Sequence, residues 1–196
     1  MSNSDWFYNL KLSIKMLFTE TSLKGCYLID IEPLEDERGW FVRTYCKNEF
    51  NTIGHSKEWV QLNHSLTRLK GTIRGMHYQL PPFSEIKLVR CIAGSVYDVI
   101  IDLRKGSHTF LNYFGAELSS KNKKMIYIPE GFAHGFQTLT DDCELIYHHS
   151  QFYSPGVEAG IKYDDTKVNI EWPLPVKSVS ARDNSHLFIN NNFKGL

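Results

Sequence analysis

The chain has 196 residues, and its 22 Lys and Arg are balanced by 22 Asp and Glu, so the formal net charge is zero with His neutral. That length makes one domain with a sizeable core, and the charge balance argues against a general nucleic-acid binder, whose domain is usually basic. No stretch approaches the roughly 20 consecutive apolar residues of a membrane span, and Cys26, Cys46, Cys91 and Cys143 form no C-x-x-C pair of the kind a zinc knuckle needs.

Residues 1–18 read as an N-terminal extension to a single domain over 19–196. They lack the apolar run and cleavage site of a signal peptide, so the expected location is cytoplasmic, with free thiols. Ten Tyr and twelve Phe favour β structure, because aromatic side chains fit a pleated surface. GCYLIDI (25–31) ends at the charged turn 35–39, and WFVRTYC (40–46) follows it. Residues 47–54 carry a short helical pattern that stops at Gly54. Then come WVQLNHS (59–65), GTIRGMHYQ (71–79), IKLVRCI (86–92), SVYDVIIDL (95–103), FLNYFGAEL (110–118), KMIYIP (124–129), GFQTL (135–139) and CELIYHH (143–149). Short β segments at this spacing predict an all-β sandwich or barrel. Ala93-Gly94 marks a hairpin between the 86–92 and 95–103 strands. In the latter, alternation puts Tyr97, Val99, Ile101 and Leu103 on one face, expected to be core. Val96, Asp98, Ile100 and Asp102 fall on the other, expected to line a partly polar cavity. Beyond residue 150 the pattern weakens into loops and one short helix that wrap the β core.

His77 lies inside a β segment. Arg74, three residues earlier, would face the other way on a regular strand unless Gly75 makes a bulge. Pro129-Glu-Gly-Phe-Ala-His134 resembles the second motif of the cupin superfamily, P-x-G-x-x-H. Gly71 to His77 matches the start of the first motif, but Gln79 stands where its second His belongs, and Glu85 is too far along to be its acid. A transition metal wants three or four N/O ligands held together, and two His remain. The chain therefore resembles a cupin whose metal site has been dismantled, and no metal or other cofactor is expected. Histidines released from a metal are free to transfer protons.

Taken in order, further segments are similar to the dTDP-4-dehydrorhamnose 3,5-epimerase family, a branch of the cupins, over roughly residues 20–185. They are Asp36-Glu-Arg-Gly-Trp-Phe41, Gln61-Leu-Asn-His-Ser65, Gly71 to Gln79, Lys87-Leu-Val-Arg90, Asp98 to Arg104, Ile128 to Phe136, Leu145-Ile-Tyr147, Asp164-Asp165, Glu171-Trp-Pro173 and Ser180-Ala-Arg-Asp183. The resemblance implies a cupin-type jelly-roll β sandwich with a few short peripheral helices, assembled as a homodimer. It implies a cofactor-free inversion of carbons 3 and 5 in a nucleotide-linked 4-keto-6-deoxyhexose. Neither nucleic acid nor membrane is an expected partner.

The same resemblance assigns residues. His77 matches the general base and Asp183 the acid that orients it. Tyr147 matches the proton donor on the opposite side of the sugar, and Lys87 the group that stabilises the enolate. Arg74 and Arg38 match diphosphate positions, Arg38 being one that the other subunit can supply. Gln61, Asn63 and Tyr153 match positions near the nucleotide, and His134 one that assists at the ketone or orients the sugar, with Asp98 as a partner for it or for Lys87. There are departures. Arg43 stands where the family commonly has a Glu beside the thymine, which opens the choice of base, since Arg pairs bidentately with guanine. His148-His149 stand where Lys is more usual, and aligning Asp183 needs a one-residue gap. Other readings are a carbon-3-only epimerase or ketoisomerase, a metal-dependent cupin oxygenase held by His77 and His134, and a non-catalytic sugar-binding jelly roll.

Overall fold

The computed structural model describes residues 15–196; the first fourteen residues of the expected N-terminal extension lie outside them. Two antiparallel sheets pack face to face. The first runs β1 (Met16–Glu20), β2 (Tyr27–Ile31), β10 (Met125–Ile128), β7 (Lys87–Ala93), β12 (Cys143–His149), β5 (Gln61–Thr67). The second runs β13 (Glu158–Gly160), β6 (Thr72–Gln79), β11 (Phe132–Thr138), β8 (Ser95–Asp102), β9 (Tyr113–Ser119), with β14 (Ser178–Val179) added in parallel to β6. A small hairpin, β3 (Leu34–Asp36) with β4 (Gly39–Phe41), stands apart from both. Among the described residues the helices are short: α1 (Lys47–Phe50), a 3-10 turn (Asn51–Ile53) and α2 (Ala181–Asn184). Gly54 ends the first pair in the left-handed region at φ 82°, a cap that suits a residue without Cβ.

The period of two along each strand builds the interior. Val89 and Cys91 on β7, Cys143 and Leu145 on β12, and Val96 and Ile100 on β8 fill the space between the sheets with Ile126, Phe132 and Phe136. Each such fully buried aliphatic side chain is worth about 1.5–3 kcal/mol. The same inward faces turn polar towards one end. Lys87 precedes Val89 by two, Tyr147 and His149 follow Leu145 by two and four, and His134 precedes Phe136 by two. The sandwich is therefore closed by a dry core at one end and lined by titratable groups at the other.

Three expectations change. Both faces of β8 are buried: Val96 and Ile100 belong to the core between the sheets. Val99, Ile101 and Leu103, expected to be that core, instead face outward under Ile161, Val168, Trp172, Ile189 and Phe193 of the C-terminal segment. Alternation distinguishes the two faces of a strand but not which one meets the other sheet. The 110–118 strand starts only at Tyr113, since Leu111 takes φ 65° in a turn. Likewise 42–46 is irregular chain, covering the outer face of the first sheet with Phe50 and Trp59. All four cysteines are free thiols.

Candidate active site

The polar end of the sandwich is a cavity of ≈ 380 Å³ between the two sheets. Gln61, Asn63, Ser65, Lys87, Tyr147 and His149 face it from the first sheet; Arg74, His77 and His134 face it from the second. Arg74 and His77 share it because β6 bulges between them. His77 pairs with His134 and Arg74 with Phe136, so two residues of β6, Gly75 and Met76, stand opposite Gly135 alone. Gly75 has φ 132°, and a Cβ there would lie 2.5 Å from Gly135 Cα, so the bulge requires glycine.

Asp183 reaches His77 from the far end of the chain. Ser180 caps α2 by accepting the Asp183 N–H at 3.0 Å, which fixes the carboxylate over β6. His77 Nε2 lies 2.8 Å from Asp183 Oδ1 and 3.1 Å from Arg182 Nη2, and the Gly75 N–H donates to Oδ2 at 3.1 Å. Burial opposes ionisation of Asp183, but the hydrogen bond and charge of His77 and the Gly75 N–H outweigh it. Its carboxyl is held well below the usual carboxylate range. His77 keeps Nδ1 without a protein partner among the described residues. Arg182 stands beside the pair, with Nε 3.3 Å from Asp183 Oδ1 and Nη1 2.9 Å from Glu158.

A second imidazole–carboxylate pair lies deeper. His134 Nε2 is 2.9 Å from Asp98 Oδ2, and Asp98 is wholly buried with Oδ1 unpartnered. Burial raises the Asp98 carboxyl, and His134 and Lys87 only partly offset this. Tyr147 projects from the opposite sheet, its ring centroid 6.3 Å from that of His134 and its hydroxyl 3.1 Å from Ser65 Oγ. Burial pushes the phenol up to about 12, so it is protonated at neutral pH. Lys87, 9% exposed, pairs with Glu85 Oε1 at 3.1 Å.

At the wider end, Gln61 Nε2 donates to Asn63 Oδ1 at 3.2 Å, and Gln61 Oε1 accepts the Tyr153 N–H at 3.0 Å. Tyr153 lines the opening with its side chain half-exposed. Arg74 is exposed to the cavity and donates to Thr67 Oγ1 at 3.3 Å. Arg38 is not brought there: it sits on the tip of the β3–β4 hairpin, its side chain 75% exposed and paired with Asp36. Arg43 forms an ion pair with Glu49 at 3.0 Å and does not line the cavity.

Residue patterns missed several lining groups. In the sequence Glu85 reads only as an acid too far along for a metal ligand, and His149 only as a departure from the family pattern. Arg182 and Glu158 fall in stretches without periodicity, as does His186, which lies behind the lining with Nε2 3.9 Å from Asp183 Oδ1. His77, Asp183 and His186 offer ligand atoms within 4.8 Å of one another, close enough to hold a cation, but Arg182 already places a positive charge on that trio.

The arrangement is one for moving protons. An imidazole with an ionised partner and a protonated phenol line one cavity from different sheets, and Lys87 lines it from the sheet of the phenol. A sequence model of the dTDP-4-dehydrorhamnose 3,5-epimerase family matches residues 20–191. The dTDP-4-dehydrorhamnose 3,5-epimerase of Shigella flexneri is 41% identical over 176 residues, which is 89% of this chain and 97% of that protein. The crystal structure of the dTDP-4-dehydrorhamnose 3,5-epimerase from Elizabethkingia anophelis superposes with a TM-score of 0.86 at 36% identity, covering 91% of this chain and 98% of the other. A dTDP-6-deoxy-D-glucose-3,5-epimerase from Legionella pneumophila, solved with dTDP-4-keto-L-rhamnose, superposes with a TM-score of 0.84 at 35% identity, covering 89% and 93%. Sequence and fold agree over most of the chain, and the chain belongs to the dTDP-4-dehydrorhamnose 3,5-epimerase family.

Proposed function

We propose that this protein inverts carbons 3 and 5 of a dTDP-linked 4-keto-6-deoxyhexose by removing and returning protons through an enolate. The observation that carries the reading is the placement of His77–Asp183 and Tyr147 on opposing sheets across one cavity. A C–H beside a ketone is a weak acid, so its removal needs a base within reach and stabilisation of the oxygen that becomes negative. His77 Nδ1 is the base. Asp183 holds the Nε2–H tautomer and favours the imidazolium that forms, the part a carboxylate plays behind a catalytic imidazole. Tyr147 returns a proton from the other side, which is what makes the outcome an inversion. Lys87 faces the ketone oxygen, with His134 next to it.

The nucleotide lies towards Gln61, Asn63 and Tyr153, with Arg74 at the diphosphate, where a planar guanidinium suits phosphate oxygens. The assembly is a homodimer in which Arg38 completes the neighbour's diphosphate site. Trp40 and Phe41, 52% and 60% exposed on the same hairpin, are the apolar surface that such a contact would cover. With Arg43 tied to Glu49, thymine remains the base of choice.

Incubation with dTDP-4-keto-6-deoxyglucose in D2O, followed by mass spectrometry of the nucleotide sugar, tests the reaction. Two deuterons at carbons 3 and 5 are expected. One deuteron means a carbon-3 epimerase, and none overturns the class.

A further inference from the structure

Two buried side chains at the cavity wall have no role in that scheme. Glu85, just before β7, accepts from Lys87 Nζ through Oε1 at 3.1 Å and from His149 Nδ1 through Oε2 at 2.7 Å. His149 closes β12, and its ring stacks on Tyr147, the planes 27° apart and the centroids separated by 6.2 Å. Its Nε2 lies 3.2 Å from Asn63 Nδ2. One tautomer satisfies every member: Nδ1–H donates to the carboxylate, and Nε2 accepts from the Asn63 amide. The Asn63 oxygen then accepts from Gln61. An unbroken chain of hydrogen bonds thus runs from the ammonium at the reacting end to the amides at the nucleotide end. Both acidic oxygens and both ring nitrogens are used, and Glu85 and Lys87 are each 9–11% exposed as side chains. A chain so fully satisfied leaves its members a single geometry.

We propose that Glu85 and His149 are positioning residues: they fix Lys87 and Tyr147 relative to each other and tie both to the strand that meets the nucleotide. Neither need touch the sugar. Glu85 sets where the ammonium points, and His149 locks Glu85 from behind while its ring face holds the phenol. The inference rests on the epimerase reading for the roles of Lys87 and Tyr147, though the geometry of Lys87 can be tested without it.

The experiment has two arms. In the first, His149→Phe keeps a flat ring against Tyr147 and removes both hydrogen bonds, while His149→Asn keeps a donor at the Nδ1 position. For deuterium incorporation into dTDP-4-keto-6-deoxyglucose, His149→Phe should lower kcat by about 10- to 100-fold with KM within about twofold of wild type, the signature of misplaced groups. His149→Asn should recover most of the loss, which a merely structural role would not predict. In the second arm, Glu85→Gln is labelled with acetic anhydride beside wild type, and Lys87 acetylation is followed by peptide mass mapping. Lys87 freed from its carboxylate should react several-fold faster. Melting curves confirm that each variant is folded, and if His149→Phe is not, Glu85→Gln carries both arms. Wild-type kcat in His149→Phe, or equal Lys87 acetylation in Glu85→Gln, overturns the proposal. A wild-type protein that incorporates no deuterium refutes the epimerase reading instead, and the labelling arm still decides whether Glu85 positions Lys87.

Discussion

Replacing Asp183 by Asn exchanges one oxygen for an NH2 group and leaves the shape of the site unchanged. The Gly75 N–H, 3.1 Å from Oδ2, requires an acceptor there, so the amide oxygen takes that place. The NH2 group then faces His77 Nε2, where Oδ1 had been an acceptor at 2.8 Å. Two donors cannot face each other, so His77 gives up its Nε2 proton and carries one on Nδ1, the nitrogen that should receive the proton of the sugar. Loss of a charge-assisted hydrogen bond alone costs about 1.5–3 kcal/mol, which is about 10- to 150-fold in rate. The wrong tautomer raises this towards about 10⁴-fold, the size seen when the carboxylate behind a catalytic imidazole becomes an amide. The assay is deuterium incorporation, with dTDP affinity measured by calorimetry as a control that should not move. If Asp183→Asn turns over within threefold of wild type, Asp183 does not set the tautomer and the dyad is misassigned.

Asp183 also links stability to pH. Its folded carboxyl lies below the unfolded value, so the stabilisation is full above about pH 4 and is lost as pH falls through the folded value. The difference in Tm between wild type and Asp183→Asn should be flat near neutrality and shrink in acid; a difference that grows in acid would contradict it. Tyr147→Phe keeps the ring and removes the proton donor. It should still exchange hydrogen for deuterium through His77 but give no net inversion, as read by NMR of the product, and unchanged turnover would remove Tyr147 from the scheme. Gly75→Ala places a Cβ against Gly135 at a φ of 132°. Backbone strain of about 1–3 kcal/mol and overpacking of similar size should lower Tm on the order of 10 °C, and a melting curve like that of wild type would show that the bulge does not need glycine.

What was legible beforehand follows the reach of each signal. Strand periodicity is local, so β6, β7, β8 and β12 were visible, as was the helix stop at Gly54. Arg74 and His77 are three residues apart and would face opposite ways on a regular strand, so Gly75 stands out in the sequence as the place where a bulge could bring them together, and the register of β6 against β11 shifts there. Period two, however, says nothing about what lies over each face. Val99, Ile101 and Leu103 pack under a C-terminal segment that is far from them in sequence. The same limit hid Glu85 and His149, which are 64 residues apart and meet only because β7 and β12 are neighbours. Asp183 lies 106 residues from His77 and was found through a motif rather than through any pattern of its own. Arg38 shows the converse: a motif match places it at the diphosphate, while within one chain it stays on an exposed hairpin.

The two imidazole–carboxylate pairs share a geometry and differ in charge, and that difference separates their roles. Asp183 receives several hydrogen bonds and is pulled towards ionisation, whereas Asp98 is sealed in the core with one oxygen unpartnered and is pushed towards the neutral acid. An ionised partner accepts from His77 Nε2 and leaves Nδ1 free towards the cavity, which suits His77 to take a proton from carbon. His134, whose Nε2 lies 2.9 Å from a partner that resists ionisation, is suited instead to donating a hydrogen bond to an oxygen. Acid and base assignments follow from environments that drive like groups apart. His77→Asn should therefore abolish deuterium incorporation at both carbons. His134→Ala, which removes a donor, should slow it by about 10²–10³-fold, the cost of losing one oxyanion contact, and His134→Asn, which keeps one, by less, neither changing which carbons exchange. If His134→Asn proved more damaging than His77→Asn, or abolished exchange at one carbon while sparing the other, His134 would itself be a base and the burial of Asp98 would not be what distinguishes the pairs.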